Sequence, residues 1–402
     1  MSPLLIVMLI VLVDLMGFTI VMPLLPHFAE KFHYSPTQIG LLFAAYPLCQ
    51  LVAGPILGRL SDRYGRRPIL AISQGGTALS FVILALSNSF GMMLFGRMLD
   101  GASGGNILVA QAYVADVTTR ENRSRGMGMI GAAFGIGFVL GPLLGGLLLK
   151  LPVSDEWRLR VPFLVAAGFS TLAWILVVLR LPESLPKDSA ARQQARVLSW
   201  RGVLDTVSDK RIGGLVLISA LFVTAFAALE GTFSLFLEKR MSWNAEKSAY
   251  AFALLGFVSA LIQGGMIRRL VPKFGEPRLI LFGLAIATLG LAVMAGVSGV
   301  TMLIVAIILV GIGQGFSSPS IQGLLSRLTP SSEQGAVFGT LTSAQTLART
   351  LNYPIANILL ERYGPSAPYW EAAAVAGVTL LIAVGVLRLV SAAAPKEVAA
   401  TV

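Results

Sequence analysis

Apolar stretches long enough to cross a membrane as helices follow one another along almost the whole chain. A helix needs about 20 mostly apolar residues to cross a hydrocarbon core of about 30 Å. Of the 402 residues, 55% are hydrophobic and 13% are charged, whereas about 25% are charged in ordinary soluble domains. Water therefore cannot surround most of this surface, and the composition excludes soluble enzymes, nucleic-acid-binding domains and disordered chains. The chain is predicted to be an integral membrane protein.

The apolar stretches predict twelve transmembrane helices. They cover Leu4–Leu25, Gln38–Leu57, Pro68–Ser87, Gly91–Val114, Gly126–Leu149, Val161–Leu181, Ile212–Phe236, Ser248–Ile267, Leu279–Val297, Thr301–Leu325, Ala336–Leu360 and Trp370–Val390. The uncharged stretch Leu279–Ser326 is too long for one helix, so we divide it at Ser298–Gly299. The first stretch lacks the short apolar core and small-residue cleavage site of a signal peptide, and we expect it to remain as the first span.

The distribution of lysine and arginine among alternate loops predicts the orientation of the chain. One set of loops and ends carries 21 of the 31 basic residues, the opposite set carries 8, and Arg97 and Arg349 lie within predicted spans. Cytoplasmic loops are the ones that carry the excess of basic residues. We therefore expect a multi-pass protein of the cytoplasmic (inner) membrane with both termini in the cytoplasm. The formal charge of +11 is then a topology signal, and we expect no nucleic-acid partner.

A polar stretch divides the spans into two sets of six. The predicted domains are an N-terminal bundle over residues 1–181, a cytoplasmic linker over 182–211 and a C-terminal bundle over 212–402. We expect a short surface helix around Ala190–Val197. A weak internal repeat supports the division, because the loop that ends at Gly65 aligns with the loop that ends at Gly275. Paired six-helix halves are typical of transporters that bind their substrate at the midplane of the membrane.

The loop after the second span contains the most specific motif, which reads GRLSDRYGRR over residues 58–67. This motif resembles the signature G-x-L-x-D-R-x-G-R-R/K of the major facilitator superfamily and matches it at every defining position. A basic loop that only sets topology would explain the arginines but not the aspartate and the glycines. The resemblance implies an all-α membrane fold of two pseudo-symmetric six-helix bundles.

The same resemblance implies a conformational clasp on the cytoplasmic side. Its residues are Gly58, Asp62, Arg63, Gly65, Arg66 and Asp116. Asp116 belongs to the segment Tyr113–Thr118, which resembles the end of the fourth helix in tetracycline-type efflux proteins. We expect Asp62 near the N-terminus of a helix, where a carboxylate meets free N–H groups and the positive end of the helix dipole.

The fifth predicted span carries a second motif, formed by Gly137, Gly141, Pro142, Gly145 and Gly146. Small residues four apart are also ordinary packing devices between membrane helices. The proline adds a bend that packing alone does not require, because it removes one hydrogen bond of the helix. The pattern resembles the antiporter motif of the superfamily, which implies exchange of substrate for protons.

Five charged residues are expected inside the spans: Asp14, Arg97, Asp100, Glu230 and Arg349. A charge at the bilayer centre costs about 2.5–3.5 kcal/mol on insertion scales, so such residues face a cavity or a partner. Arg97 and Asp100 lie three residues apart and can pair on one helix face. Such a pair has two possible roles. It is either a structural ion pair, or Arg97 changes its acidic partner when a proton or a substrate binds. We expect proton coupling by Asp14 and Glu230 first and by Asp100 next, with Arg97 as a modulator.

Aromatic and amide side chains accompany these charges. Asp14 and Phe18 lie on one helical stripe, and Phe222, Phe226 and Glu230 lie on another. Such stripes are commoner in packing than in ligand sites, but packing alone gives no reason to bury an acid. The expected substrate cavity comprises Asp14, Phe18, Gln50, Arg97, Phe222, Phe226, Glu230, Gln314, Arg349 and Asn352.

The sequence thus predicts a proton-coupled efflux antiporter of the twelve-helix drug:proton branch, similar to tetracycline efflux proteins. The expected substrate is a small lipophilic or amphiphilic compound, and the expected mechanism is alternating access. Two alternatives stay open: export of a polar metabolite such as a sugar, and a nontransporting receptor on the same fold. The sequence contains no evident nucleophile–base pair or metal cluster, so we expect neither an enzyme nor a metal site. We expect a monomer without cofactors that is driven by the proton gradient.

Overall fold

The computed structural model of the protein describes residues 2–118, 122–185, 206, 208–330 and 333–392. All the regular elements in these ranges are helices, which confirms the predicted all-α membrane fold. The expected surface helix around 190–197 lies outside the described residues.

Among the described residues, eight helices precede the polar stretch that divides the spans. They are α1 (Pro3–Glu30), α2 (Pro36–Tyr64), α3 (Arg66–Leu86), α4 (Phe90–Ser103), α5 (Asn106–Val117), α6 (Arg123–Leu148), α7 (Asp155–Arg158) and α8 (Val161–Arg180). α7 is a single turn. α4 and α5 together make up the fourth predicted span, because the helix is interrupted at Gly104 and Gly105.

In the described part of the chain after that polar stretch, there are six helices and one π-helical turn. The helices are α9 (Ile212–Met241), α10 (Ala245–Leu261), α11 (Ile267–Ala295), α12 (Val300–Leu328), α13 (Gln334–Tyr363) and α14 (Ala367–Ala392). The π-helical turn Ile262–Met266 joins α10 to α11. The backbone of α11 leaves helical geometry at Gly275, so its first part continues α10 and its second part is a separate span.

Within the described ranges, nine helices are long and apolar enough to cross a membrane. One of them, Ala245–Ala295, has 51 residues and holds two spans that are separated at Gly275. The fourth span is divided into two shorter helices, and α13 is long enough but more polar than the others. The described helices thus account for all twelve predicted spans.

Side chains at the helix starts explain where several helices begin. Before α2, the Ser35 hydroxyl and the Gln38 side chain form a capping box by accepting each other's backbone N–H. Before α9, Asp209 Oδ1 accepts hydrogen bonds from the N–H groups of Arg211 and Ile212, at 2.7 and 3.2 Å. Burial alone would raise the pKa of Asp209, but these donors outweigh burial and lower its pKa below the ordinary value.

The chain divides into two compact units. The first comprises Met1–Val197 and Trp243–Ala253, and the second comprises Leu198–Ser242 and Leu254–Val402. Each unit has a hydrophobic core of its own, to which α1, α3, α5, α6 and α8 contribute in the first unit and α9 and α11 to α14 in the second. The predicted linker 182–211 lies largely outside the described residues, so its two boundaries stay predictions.

The two glycines that the internal repeat aligns share an unusual backbone conformation. Gly65 has φ 109° and ψ 156° between α2 and α3, and Gly275 has φ 74° and ψ 156° within α11. This region of backbone conformation is accessible almost only to glycine. A Cβ at position 65 would also collide with the carboxylate of Glu183. The weak sequence repeat therefore has a structural basis in two turns that require glycine.

We expect Gly65→Ala to destabilise the protein by about 1–3 kcal/mol, because alanine would have to adopt a strained backbone conformation. Gly58→Ala in the same motif is the matched control, since position 58 is helical and a Cβ there meets no atom within 4 Å. Thermal unfolding of both purified variants in detergent is the measurement. Equal melting temperatures of the two variants would contradict this interpretation of Gly65.

Candidate functional site

A buried ion pair lies in the fourth span of the first unit. Arg97 Nη1 donates a hydrogen bond of 3.1 Å to Asp100 Oδ2, and the two residues are only 1% and 4% exposed. Arg97 Nε also donates to the carbonyl oxygen of Leu42 at 3.3 Å. The guanidinium carbon lies 4.9 Å from the centre of the Tyr46 ring. These contacts hold Arg97 between α4 and α2, with Asp100 as the acid that neutralises it.

A glycine and a helix break position this pair. A Cβ at Gly101 would collide with the backbone carbonyl oxygen of Tyr46, so only glycine allows α4 to approach α2 this closely. At the break between α4 and α5, Gln50 Nε2 donates to the carbonyl oxygen of Gly104 at 2.9 Å. This bond satisfies a carbonyl that the interrupted helix leaves without its usual partner. Gln50, predicted as a cavity residue, thus bonds to helix backbone.

Asp14 has a buried carboxylate without an ion-pair partner among the described residues. Both of its carboxylate oxygens are shielded from solvent and accept no hydrogen bond of normal geometry there. The amide side chains of Asn106 and Gln74 lie beside it and are joined to each other by a 3.1 Å hydrogen bond. Asp14, Asp100 and Phe18 line one cavity of about 20 Å³, which has room for about one water molecule. Asp14 and Asp100 therefore line the same small cavity.

The second unit holds an ion pair of its own, between a buried acid and a partly buried arginine. Arg349 Nε on α13 donates to Glu230 Oε2 on α9 at 3.1 Å, and the Tyr353 hydroxyl donates to the same oxygen at 2.8 Å. Glu230 is only 2% exposed. Gly231 lets α13 come close, since a Cβ there would lie 2.9 Å from the Tyr353 ring. From the sequence, Glu230 and Arg349 are predicted as separate site residues, and neither their pairing nor the contact of Tyr353 with Glu230 is predicted.

The other predicted cavity residues of the second unit have packing or bridging contacts. Phe222 and Phe226 are buried, and Phe222 belongs to the hydrophobic core of the unit. Gln314 on α12 accepts a hydrogen bond of 2.9 Å from a serine of α10. Asn352 on α13 donates a hydrogen bond of 2.7 Å to a backbone carbonyl of α9. Both amides therefore join neighbouring helices.

One acid within a predicted span escaped the sequence analysis. Glu371 lies near the start of α14, and its Oε2 is shielded from solvent and accepts no hydrogen bond of normal geometry from the described residues. The amide side chain of Asn352 lies beside it. The predicted span Trp370–Val390 contains Glu371 as its second residue, but the sequence pattern assigns it no role. Asn106 and Gln74, the polar neighbours of Asp14, were also not predicted as site residues, because no sequence pattern connects them to Asp14.

The predicted clasp residues Asp62, Arg66 and Asp116 form one network within the first unit. Arg66 Nη1 lies 2.6 Å from Asp62 Oδ1, and Arg66 Nε donates to Asp116 Oδ2 at 3.0 Å. Arg66 thereby joins the end of α2, the start of α3 and the end of α5. The Arg63 guanidinium has a different partner, since it lies 5.4 Å from the centre of the Tyr64 ring.

Glu183, which the sequence analysis assigned to the linker, completes this network. Its Oε1 accepts the N–H of Arg66 at 2.8 Å and its Oε2 accepts the N–H of Arg67 at 3.2 Å. These are free N–H groups at the start of α3, where a carboxylate is favoured. We expected Asp62 to lie near a helix N-terminus, but the acid at the N-terminus of α3 is Glu183. Asp62 pairs with the Arg66 side chain instead. The neighbouring Ser184 hydroxyl donates to Asp116 at 3.1 Å, so the start of the linker is fixed to the clasp.

The second unit contains a counterpart of opposite polarity. Glu276 follows Gly275 as Arg66 follows Gly65. The Oε1 atom of Glu276 lies 3.1 Å from Nε of Arg327, near the end of α12. The acid and the base have thus exchanged places relative to the first unit.

Two glycines of the antiporter-like motif bring α6 against α1. A Cβ at Gly137 would lie 2.7 Å from a side chain of α1. A Cβ at Gly141 would collide with the Thr19 hydroxyl and would lie 2.8 Å from the Met16 carbonyl oxygen. Thr19 Oγ1 also donates across this contact to the Gly137 carbonyl at 3.0 Å. Because Asp14 lies on the same part of α1, this packing helps to set the position of that acid.

The end of this motif contacts the start of α10, which belongs to the same unit. A Cβ at Gly146 would lie 3.0 Å from a tyrosine ring there, whereas Gly145 has only ordinary contacts and Pro142 lies inside α6. Just beyond α6, Lys150 Nζ lies 3.2 Å from Glu246 Oε1. The hydrogen bond to the Glu246 carboxylate raises the pKa of Lys150 above its ordinary value.

Known proteins resemble this chain over nearly its whole length. The Major Facilitator Superfamily profile matches residues 7–274 and 265–401. The class H tetracycline resistance protein of Pasteurella multocida is 30% identical over 370 residues, which cover 91% of this chain and 90% of that protein. Multidrug resistance protein 2 of Bacillus subtilis (strain 168) is 27% identical, with 87% of each chain covered. The crystal structure of the human organic anion transporter MFSD10 (TETRAN) matches with a TM-score of 0.73 and 25% identity, covering 94% of this chain and 98% of that one.

We expect Gly141→Ala to destabilise the protein by about 1–3 kcal/mol, because the added methyl group overpacks the contact between α6 and α1. Gly128→Ala in the same helix is the control, since a Cβ there meets no atom within 4 Å. The control should keep or raise the melting temperature, because alanine favours a helix over glycine by up to about 1 kcal/mol. Thermal unfolding in detergent separates the two, and a Gly141→Ala variant as stable as the control would refute the packing role.

We expect Glu183→Ala to destabilise the protein by about 0.5–2 kcal/mol, the usual cost of losing a helix N-terminal cap. Glu183→Gln should cost less, because one side-chain oxygen remains to accept a backbone N–H. Glu156→Ala, an exposed acid in α7, is the control. Denaturation measurements on the three variants test the order, and a Glu183→Ala variant no weaker than the control would rule out the cap.

Proposed function

Because the chain belongs to the Major Facilitator Superfamily, we propose that it exports a drug-like compound in exchange for protons. Membership of this family makes the chain a membrane transporter and not an enzyme. Tetracycline and multidrug resistance proteins are among its relatives, which supports a drug as the exported compound. The proton gradient supplies the energy, and the proposed cycle uses no cofactor.

The observation that carries the proton coupling is the environment of Asp14. A charged carboxylate without a cationic partner is costly inside a membrane, so a proton on Asp14 is the cheapest way to accommodate it. Access of water to the cavity beside Asp14 would stabilise the carboxylate and release that proton. A proton-coupled transporter requires a group that releases its proton when water reaches it and binds a proton when water is excluded. We therefore assign proton loading and release to Asp14.

The paired acids supply substrate recognition in this proposal. Protonation of Glu230 would remove its attraction for Arg349, and a cationic compound would compete with Arg349 for the same carboxylate. The pair of Arg97 and Asp100 beside the Asp14 cavity gives the first unit a similar exchange, with Arg97 as the modulator. Each acid is thus either paired with its arginine or released from it, and binding of a proton or a substrate decides between these two states.

The aromatic neighbours of the acids support a lipophilic or amphiphilic substrate. In the first unit, the rings of Phe18 and Tyr46 lie 5.4 Å apart and both residues line the cavity of Asp14. In the second unit, Phe222 and Phe226 lie on α9 at one-turn spacing before Glu230. We further propose a monomer in the cytoplasmic membrane with both termini in the cytoplasm, as the basic loops indicate.

The proton gradient is sufficient for this task. One charge that moves through 100 mV supplies about 2.3 kcal/mol, which sustains a concentration ratio on the order of 40-fold, and a pH difference adds to it. Alternating exposure of the substrate site to the two sides of the membrane converts this energy into export.

We expect Asp14→Asn to retain substrate binding and to lose proton-coupled export, because asparagine has the shape of aspartic acid but cannot release a proton. The measurement uses proteoliposomes with an imposed pH gradient. Tetracycline and lipophilic cationic dyes serve as probes, and a pH-sensitive dye reports substrate-dependent proton movement.

Asp155→Asn is the matched control, since this acid lies in α7 and its side chain is 88% exposed. If Asp14→Asn exchanged protons for substrate as well as the control, the assignment of Asp14 would be wrong. If the unsubstituted protein moved substrate without protons, antiport itself would be wrong. Binding of the probes without any transport would favour a receptor.

A further inference from the structure

Glu371, near the start of the last span, is a partly buried acid that the proposed cycle does not yet use. It is the fifth residue of α14, and the first turn of that helix contains no acid. The N-terminal helix dipole, which acts mainly within the first turn, therefore does not explain its position. Its Oε2 is shielded and accepts no hydrogen bond of normal geometry from the described residues. Glu230 in the same unit has Arg349, whereas no described basic side chain forms an ion pair with Glu371.

Among the described residues, no lysine or arginine of the helices packed against α14 forms an ion pair with Glu371. α14 packs against α9, α11 and α13. On α9 and α13, Glu230 and Arg349 are engaged with each other. On α14 itself, the buried Tyr369 hydroxyl lies 3.4 Å from a threonine hydroxyl of α9. The stretch Leu279–Val297 of α11 contains no titratable side chain. The remaining titratable side chains at the adjoining ends of α9 and α13 are Glu238, Lys239, Arg240, Glu361, Arg362 and Tyr363.

Asn352 connects this acid to the ion pair of the same unit. Its amide lies beside Glu371 while its Nδ2 donates to the Thr224 carbonyl oxygen on α9 at 2.7 Å. On α13, Asn352 stands between Arg349 and Tyr353, the two residues that bind Glu230. A shift of α13 against α9 or α14 would therefore change the surroundings of both acids together.

We propose that Glu371 is a second proton-exchanging residue, which serves the second unit as Asp14 serves the first. This inference rests on the proposed function, because it assigns one further proton site to the same transport cycle. A carboxyl group that is shielded from water and has no cation beside it favours a bound proton. In the step, the O–H bond of the Glu371 carboxyl breaks when water reaches it, the proton passes to that water, and the carboxylate later takes a proton from water. Glu230 stays neutralised by Arg349 while this occurs.

The first test detects the proton directly and does not depend on transport. Infrared difference spectra of the full-length protein in liposomes, recorded between acidic and alkaline pH, show the C=O stretch of each carboxyl that titrates. We expect Glu371→Gln to lose one band in the range of carboxyls in apolar surroundings. Glu333→Gln, which removes an exposed acid, should lose intensity only in the range of hydrated carboxyls. Loss of a hydrated band in Glu371→Gln, or no loss, would overturn the proposal.

The second test counts protons moved per substrate exported in proteoliposomes. We expect Glu371→Gln to bind substrate normally and to move fewer protons per substrate with a flatter pH profile, and Glu371→Asp to restore both. An unchanged ratio and pH profile in Glu371→Gln, with a proton-coupled unsubstituted protein, would refute the role of Glu371 and leave the proposed function standing. An unsubstituted protein that moves no protons with substrate would overturn both.

Discussion

A carboxylate inside a membrane needs a proton, a cation or water, and this requirement organises the polar groups of both units. Asp100 and Glu230 meet it with Arg97 and Arg349, and Arg97 is itself held by a backbone carbonyl of α2. Asp14 and Glu371 have no such cation among the described residues. The paired acids join helices through their arginines, whereas the unpaired acids depend on a proton or on water.

The pairs exist only because the backbones approach one another closely at particular glycines. Gly101 lets α4 touch α2, Gly141 lets α6 touch α1, and Gly231 lets α13 touch α9. Each of these helices carries or contacts a buried charge, so the small residues decide which charges meet. The glycines that allow close helix packing therefore also set the positions of the charged side chains. A methyl group at Gly141 would displace the helix that carries Asp14 even though it touches no titratable group.

Much of the fold could be predicted from the sequence because each membrane span is a continuous run of apolar residues. Twelve stretches of suitable length are visible without any contact information, and the motif around Asp62 is continuous in sequence. The partners of the buried acids were not accessible in this way. Arg349 lies 119 residues from Glu230, and Glu183 lies 117 residues from the helix start that it caps. No periodicity connects such positions, so only the packing of the helices brings them together.

The clasp of the first unit and its counterpart in the second show why the internal repeat looked weak. The attraction between two opposite charges does not depend on which partner is the acid. Arg66 with Asp116 and Glu276 with Arg327 therefore perform the same joining role after an exchange of charge. The glycine turn could not be exchanged in the same manner, because its backbone conformation excludes other residues. Sequence comparison of the halves consequently retains Gly65 and Gly275 and loses the ion pair, although the structure preserves both.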